Sequence, residues 1–294
     1  MERAQSSTFG GIYIQEIIKM LSYPFILKAL IAGVFISLCA ALLGVILVLK
    51  RYSMIGHGLG DVGFASLSFA VALGLPPMLV SMPIVIVAAF IIMLIGQKNS
   101  NHGDVAIGIV ATSSLSVGVI ITALTKGFNI DVTNYMFGSI LAMSDQDVFI
   151  SAGLSVIVIL LFVLLFNRLF MITFDENFAR TSGINVTFYQ FVIALLTAVT
   201  VVVGMRMMGT LLISSLIIFP AMIAKRLVSS FRGVVVISAI SAVVCFIVGV
   251  FLSFILDLPT GASVVMVNLC VLALSMLFSK IKRSGLSKSK TFSK

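Results

Sequence analysis

Long stretches of this chain carry almost no charge, and this feature constrains its fold more than any other. The 46 residues between Arg51 and the next basic residue contain one charged residue, Asp61, and the 47 that follow Arg232 contain one, Asp257. Charged residues make up 10% of the chain, against about a quarter in a soluble domain. Uncharged apolar runs longer than about 20 residues are typical of transmembrane helices. These runs exclude solvated globular, disordered, collagen-like and disulfide-framework proteins, and also outer-membrane barrels, whose strands alternate.

The sequence therefore predicts an all-α fold, a polytopic helical bundle in the membrane that forms one domain over residues 1–294. Nine apolar segments can be separated, at 26–49, 57–75, 78–96, 105–125, 148–172, 188–204, 207–224, 234–256 and 260–279. The sixth and seventh are short and are joined only by Met205 and Arg206, so they could form one broken span and reduce the total to eight. Residues 1–24 are expected to form an amphipathic segment on the membrane surface.

The distribution of Lys and Arg predicts the orientation of the bundle. If the basic tail 280–294 is cytoplasmic, nine crossings place 14 of the 19 Lys and Arg residues inside and five outside, as the positive-inside rule requires. The net charge of +9 then reflects membrane topology and not binding of nucleic acid. We expect a multi-pass protein of the cytoplasmic membrane that contacts lipid, with its N-terminus outside.

One polar pair lies inside an apolar segment, and polar residues in lipid usually mark functional sites. Asp61 is the only carboxylate well inside such a segment, and His57 precedes it by four residues, which places both on one helix face. Imidazole and carboxylate together suit a divalent transition metal such as zinc or manganese. The alternative is that the pair lies near the headgroups and binds nothing. Four glycines nearby predict a broken helix that lines a cavity: Gly56, Gly58, Gly60 and Gly63.

An enzyme is a second interpretation of the same residues. Gly58-Leu59-Gly60-Asp61 matches the G-x-G-D signature of intramembrane aspartyl proteases. Such a protease needs a second carboxylate that shares a proton with the first, and Asp257 lies near the end of a segment, beside a proline. The chain has neither a P-loop nor an H-E-x-x-H motif, so it predicts no nucleotide hydrolysis of its own and no zinc protease.

A connection expected on the cytoplasmic side, residues 173–187, predicts a short capped helix. Asp175 suits the N-cap, and Gly183 suits the position after the C-cap. Elsewhere, His102 beside Asp104 predicts a solvated turn more than a metal sensor. Three methionines at an outer end could contact a soft metal, but apolar packing is the simpler interpretation: Met205, Met207 and Met208.

The chain resembles the permease subunit of bacterial zinc and manganese ABC transporters, the ABC-3 type. The resemblance covers about residues 25–280 and is most specific in Gly209–Ala224, which contains Pro220-Ala221. The segments Lys50–Asp61, Phe174–Gly183 and Asn134–Ser139 also carry it. The family usually has Asp before His, whereas here His57 precedes Asp61.

The resemblance implies a bundle like that of type II ABC importers, working as a homodimer without a cofactor, and not an enzyme. It implies two cytoplasmic ATPase subunits, an extracellular metal-binding protein, and a transported ion bound by His57 and Asp61, zinc in preference to manganese. Residues 173–187 would be the coupling segment, in which Asp175 and Gly183 fix the helix ends. The apolar residues expected to enter the ATPase groove are Phe178 and Ile184. A permease for an iron chelate or a cobalamin-type substrate is the alternative within this class.

Overall fold

The computed structural model describes residues 24–98, 103–125 and 145–291. Every regular element in these ranges is an α-helix. They are α1 (Pro24–Leu49), α2 (Ile55–Ala72), α3 (Pro77–Lys98), α4 (Gly103–Leu124), α5 (Asp145–Phe174), α6 (Glu176–Thr181), α7 (Val186–Met208), α8 (Thr210–Leu227), α9 (Phe231–Leu256) and α10 (Thr260–Thr291). Nine of these helices are long and apolar enough to cross a membrane, and the short α6 is the exception. The prediction of an all-helical membrane bundle is confirmed.

Some predictions fall on residues outside these ranges. They concern the amphipathic N-terminal segment, His102, and the segment 134–139 that carries part of the family resemblance. At the other end of the chain, α10 continues to Thr291, whereas the apolar pattern predicts an end at 279. The first part of the basic tail is therefore a continuation of the last spanning helix.

The junction between α7 and α8 lies at Gly209, and not at Met205 and Arg206. Both of those residues belong to the last turn of α7, which ends at Met208. Gly209 has a φ of 84°, a left-handed conformation that glycine adopts without steric cost, and α8 starts directly after it. Because two separate spans form, the alternative of one broken span is wrong for this part of the chain.

Helix α1 forms the centre of the described bundle. It packs against α5, α7, α8 and α9, and 78% of its spanning window is buried, against 22% for α4 and for α5. Its closest approach is to α8, where a Cβ atom added to Gly44 would overlap the carbonyl oxygen of Ile217. Small residues at a crossing let two backbones meet, which is a main source of helix association in lipid.

Helix α2 lies beside α4, and the two helices run parallel to each other. Near their N-terminal ends, a Cβ atom on Gly58 would lie 2.6 Å from Cγ2 of Ile107. Further along, the hydroxyl of Thr122 donates a hydrogen bond to Oγ of Ser68 at 3.1 Å. Since the two contacts advance in the same direction along both helices, α4 supports α2 over most of its length.

Candidate functional site

His57 and Asp61 lie on one face of α2, in its first two turns. The distance from Nε2 of His57 to Oδ2 of Asp61 is 3.8 Å, and their side chains are 48% and 13% exposed. This separation is too long for a hydrogen bond, so neither group is fully engaged by the other. The predicted spacing thus brings an imidazole and a carboxylate to positions from which both can contact one cation.

The contacts of α2 with α8 fix the position of this pair along the two helices. A Cβ atom on Gly56 would lie 2.7 Å from Cδ1 of Ile217, and one on Gly60 would lie 3.1 Å from Cγ2 of Thr210. The turn between these glycines therefore lies beside the first half of α8, whereas Lys225 is in its last turn. At 1.5 Å per residue, the pair is about 12 to 22 Å from Lys225 along the helix axis. Along α2 the pair lies within two turns of the start of the helix, so a position near the headgroups stays the alternative.

The prediction of a broken helix at this site is wrong. Helix α2 runs without interruption from Ile55 to Ala72. The glycines serve contacts with other helices instead, because each removes a Cβ atom that would collide with or crowd a neighbouring side chain. The neighbours in question are Ile217 beside Gly56, Ile107 beside Gly58 and Thr210 beside Gly60.

The pair offers one imidazole and one carboxylate, and no third side chain of a usual metal-binding type joins them in the described chain. Within residues 24–98, 103–125 and 145–291, no group of three or more His, Cys, Asp and Glu side chains could hold a metal ion. Zinc usually takes four ligands in a structural site and three plus water in a catalytic site. The described residues therefore offer this pair no further His, Cys, Asp or Glu side chain.

The other residues considered from the sequence do not join this pair. The three methionines at the end of α7 are buried in the core, as expected for apolar packing. Asp104 is exposed in the first turn of α4. Asp257 forms the C-cap of α9, with a φ of 52°.

The connection 173–187 contains the predicted short helix, α6. Asp175 is its N-cap, and the carboxylate of Asp175 accepts a hydrogen bond from the backbone N–H of Phe178 at 2.9 Å. Within the helix, Arg180 donates to Glu176 Oε1 at 3.0 Å. The N-terminal end of α6 is thus fixed by the side chains that the sequence assigns to it.

The C-terminal end of α6 is closed by a Schellman motif. Gly183 has a φ of 79°, and its N–H donates to the carbonyl of Arg180 at 3.1 Å. The N–H of Ile184 donates to the carbonyl of Ala179 at 3.0 Å. The predicted position of Gly183 agrees with this geometry.

Of the two residues predicted to contact an ATPase, only one is available at the surface. Phe178 is 57% exposed. Ile184 is 6% exposed and packs in a small cluster with Ile172, Ala179 and Val186, so its expected place on a contact surface is wrong. The reason is the Schellman motif, in which the residue after the glycine folds back onto the helix and makes an apolar contact.

The sequence does not predict an ion pair between α6 and the turn after α1. Nζ of Lys50 lies 3.7 Å from Oε2 of Glu176, and the Lys50 side chain is 10% exposed. Burial lowers the pKa of Lys50, and the negative charge of Glu176 offsets part of this shift. The position of Lys50 directly after a long apolar helix is a sequence signal for an ion pair, since a buried cation needs a partner. The sequence does not show which carboxylate that partner is.

The fold and the site together define a multi-pass transport protein of the cell membrane. Nine helices of the described chain are long and apolar enough to cross a membrane, one of them carries an ionisable pair, and a capped helix lies between two of the spans. Residues 22–279 match the ABC 3 transport family, and the chain belongs to this family. The resemblance seen in the sequence is thereby confirmed. The chain is a transport subunit and not an enzyme, so the interpretation as an aspartyl protease is wrong.

Relatives with similar sequences align with this chain over most of its length. The manganese import system permease protein ScaB of Streptococcus gordonii is 27% identical, over 92% of this chain and 97% of ScaB. The high-affinity zinc uptake system membrane protein ZnuB of Haemophilus influenzae is 29% identical, over 86% of this chain and 97% of ZnuB. A solved structure, PsaBC from Streptococcus pneumoniae in complex with Fab, contains a chain with 27% identity and a TM-score of 0.78. That match covers 89% of this chain and 94% of the PsaBC chain.

Proposed function

We propose that this protein is the permease of an ABC importer that moves a divalent transition metal ion into the cell, and that His57 and Asp61 bind the ion during its passage. The observation that carries the proposal is the imidazole and the carboxylate, 3.8 Å apart on one face of an apolar span. Ionisable groups inside such a span are costly and usually mark a pathway. A bare ion that loses water needs such ligands, and this pair supplies them.

The two-ligand pair favours a homodimer. Two copies of the chain would bring two imidazoles and two carboxylates to one central pathway, and the half-exposed side chain of His57 leaves room for the approach of the second copy. Four nitrogen and oxygen ligands suit zinc in number and kind, so we propose zinc in preference to manganese. The ion must also leave, so the four groups should bind it weakly in at least one state of the transporter.

The relatives support a metal but do not distinguish between the two ions, because ScaB is named for manganese and ZnuB for zinc. The order of the pair is reversed relative to the usual order in the family that the sequence resembles. Exchanging the positions of His57 and Asp61 keeps both ligand types on the same helix face at the same spacing. The reversed order therefore remains compatible with a metal ligand pair.

A permease for an iron chelate or a cobalamin-type substrate remains the competing function. A large organic ligand is held by a wide apolar surface and needs no imidazole and carboxylate on one helix face. The buried position of Asp61 therefore favours a bare ion.

The energy for transport would come from a separate ATPase, because the sequence contains no P-loop. Helix α6 is the proposed contact, with Phe178 as its exposed apolar side chain and with both ends fixed by caps. An extracellular metal-binding protein would deliver the ion to the opposite face. With a cytoplasmic C-terminus, the Lys50 turn and α6 lie on the ATPase side, which agrees with their ion pair.

The test is the ATPase activity of the complex that forms when the permease is co-expressed with its ATPase and purified in lipid. Zinc or manganese should stimulate hydrolysis, whereas an iron chelate and cobalamin should not. His57→Ala should remove the stimulation, and His102→Ala, a change of the other histidine in the chain, should retain it. Stimulation by the organic substrates alone, or an equal response of both alanine variants, would contradict the proposal.

A further inference from the structure

The turn between α1 and α2 has a backbone conformation that most residues avoid. Arg51 has a φ of 63°, in the left-handed region that favours glycine. Two hydrogen bonds close the turn: the N–H of Tyr52 donates to the carbonyl of Leu47 at 2.8 Å, and that of Arg51 donates to the carbonyl of Val48 at 3.3 Å. A non-glycine residue remains in this region only where its surroundings hold it there. The geometry of the turn therefore depends on its contacts with the rest of the molecule.

Glu176 of α6 provides a charged contact to this turn. Its Oε2 atom lies 3.7 Å from Nζ of Lys50, whose side chain is largely buried. Tyr52 is half-buried, and burial, with a smaller effect of the negative charge of Glu176, raises the pKa of Tyr52. Removing one member of a buried ion pair leaves a charge without compensation, which is costly. Arg180 holds Glu176 from within α6 at 3.0 Å, so the carboxylate moves with that helix.

The same turn leads directly into the helix that carries the candidate metal site. The N–H of Ile55, the first residue of α2, donates to the carbonyl of Tyr52 at 3.1 Å, and His57 is the third residue of α2. A displacement of α6 that moves Glu176 therefore acts on the start of α2 through Lys50. The contact joins two segments that are far apart in the sequence and that have separate tasks in the proposed function.

We propose that the ion pair of Lys50 and Glu176 positions α2 according to the state of α6, and so couples the ATPase to the ligand geometry of His57 and Asp61. This inference rests on the proposed function. Lys50 is a positioning residue, since it is the partner of Glu176 and not of the ion. Coupling between two sites is reciprocal. Metal bound at α2 therefore acts on α6, and nucleotide bound to the ATPase acts on α2, through the same contact.

The test uses charge reversal in the complete complex of permease and ATPase in lipid nanodiscs. The variants are Lys50→Glu, Glu176→Lys and the double reversal, with Lys225→Glu as the control because Lys225 is an exposed lysine in the last turn of α8. Each single reversal should raise the zinc concentration for half-maximal ATPase stimulation by between about 5-fold and 150-fold, the usual range of coupling between sites. The double reversal should return it part of the way, because Glu176→Lys also loses the contact with Arg180, and the control should not change it. Lys50→Glu should still co-purify with the ATPase.

Two further measurements keep the test decisive. Lys50→Met fills the same space without a charge, so it should give the same shift even if Lys50→Glu fails to fold. Hydrogen exchange in the first turn of α2, with and without a bound ATP analogue, needs no metal. The analogue should change exchange there in the wild type and not in Lys50→Met.

The outcomes separate the two proposals. In one outcome, nucleotide changes hydrogen exchange in α2 of the wild type, but zinc and manganese do not stimulate its ATPase. This outcome contradicts the metal function and still supports the role of the ion pair. Wild-type responses in both Lys50 variants overturn the role of the ion pair. So does a double reversal whose shift equals the sum of the two single shifts, because independent residues behave in that way.

Discussion

The C-terminal cap of α6 offers a graded perturbation of the coupling segment. Gly183 has a φ of 79°, and a Cβ atom added there meets nothing within 4 Å, so a substitution changes the backbone preference and no packing contact. Alanine in the left-handed region costs about 1 to 2 kcal/mol, whereas asparagine is better tolerated there. Proline is locked near a φ of −65° and also loses the hydrogen bond to Arg180, which is worth about 1 kcal/mol. The Schellman motif therefore cannot form in Gly183→Pro.

We expect ATPase binding and transport to fall in the order wild type, Asn, Ala, Pro, with the proline variant uncoupling ATP hydrolysis from transport while remaining in the membrane. The assay measures co-purified ATPase, hydrolysis and uptake on the same membrane preparation. Gly74 provides a matched control, because it has a φ of 67° and open space around it. Its cap has the same two hydrogen bonds, at the far end of α2. Gly74→Pro should leave ATPase binding unchanged.

A result of normal transport would refute this reasoning. If Gly183→Pro combined with Phe178→Asp transports at the wild-type rate, α6 is not the contact for the ATPase. If Gly74→Pro lowers ATPase binding as much as Gly183→Pro, the effect comes from general destabilisation and not from the coupling segment.

Two further predictions follow from the same structure. Gly44→Ala should destabilise the bundle by about 1 to 3 kcal/mol through overpacking, whereas Gly153→Ala should not, because a Cβ atom there meets nothing within 4 Å. Thermal unfolding in detergent measures the difference. Equal stability of the two variants would contradict the close crossing of α1 and α8. A reporter fused after Lys294 should be active only in the cytoplasm, and a signal outside the cell would reverse the orientation.

Features set by neighbouring residues could be predicted from the sequence. The spacing of His57 and Asp61 fixes a shared helix face, and the caps at Asp175 and Gly183 follow from the local preferences of those residue types. The nine spans follow from the length of the uncharged runs. In each case the physical cause lies within a few residues of its effect, so no knowledge of the tertiary structure is needed.

Features that depend on residues far apart in the sequence could not be predicted. Gly56 lowers the helix propensity of the isolated segment. In the folded protein, its lack of a side chain permits the close contact with Ile217. From the sequence alone, Ile184 is expected to be an exposed apolar residue. Its burial depends on the way the chain folds back against α6. The ion pair of Lys50 with Glu176 depends on how α6 packs beside the turn that follows α1. The sequence does not show which carboxylate reaches Lys50.

The measurement that tests the central claim most directly is uptake of radioactive zinc and manganese by cells that carry changes at the ligand pair. His57→Ala and Asp61→Ala should each abolish uptake while folded protein remains in the membrane. The exchanged pair, His57→Asp with Asp61→His, should restore part of it, because both ligands keep one face and the same spacing. Normal uptake by both alanine variants would show that the pair is a structural contact and that the ion passes elsewhere.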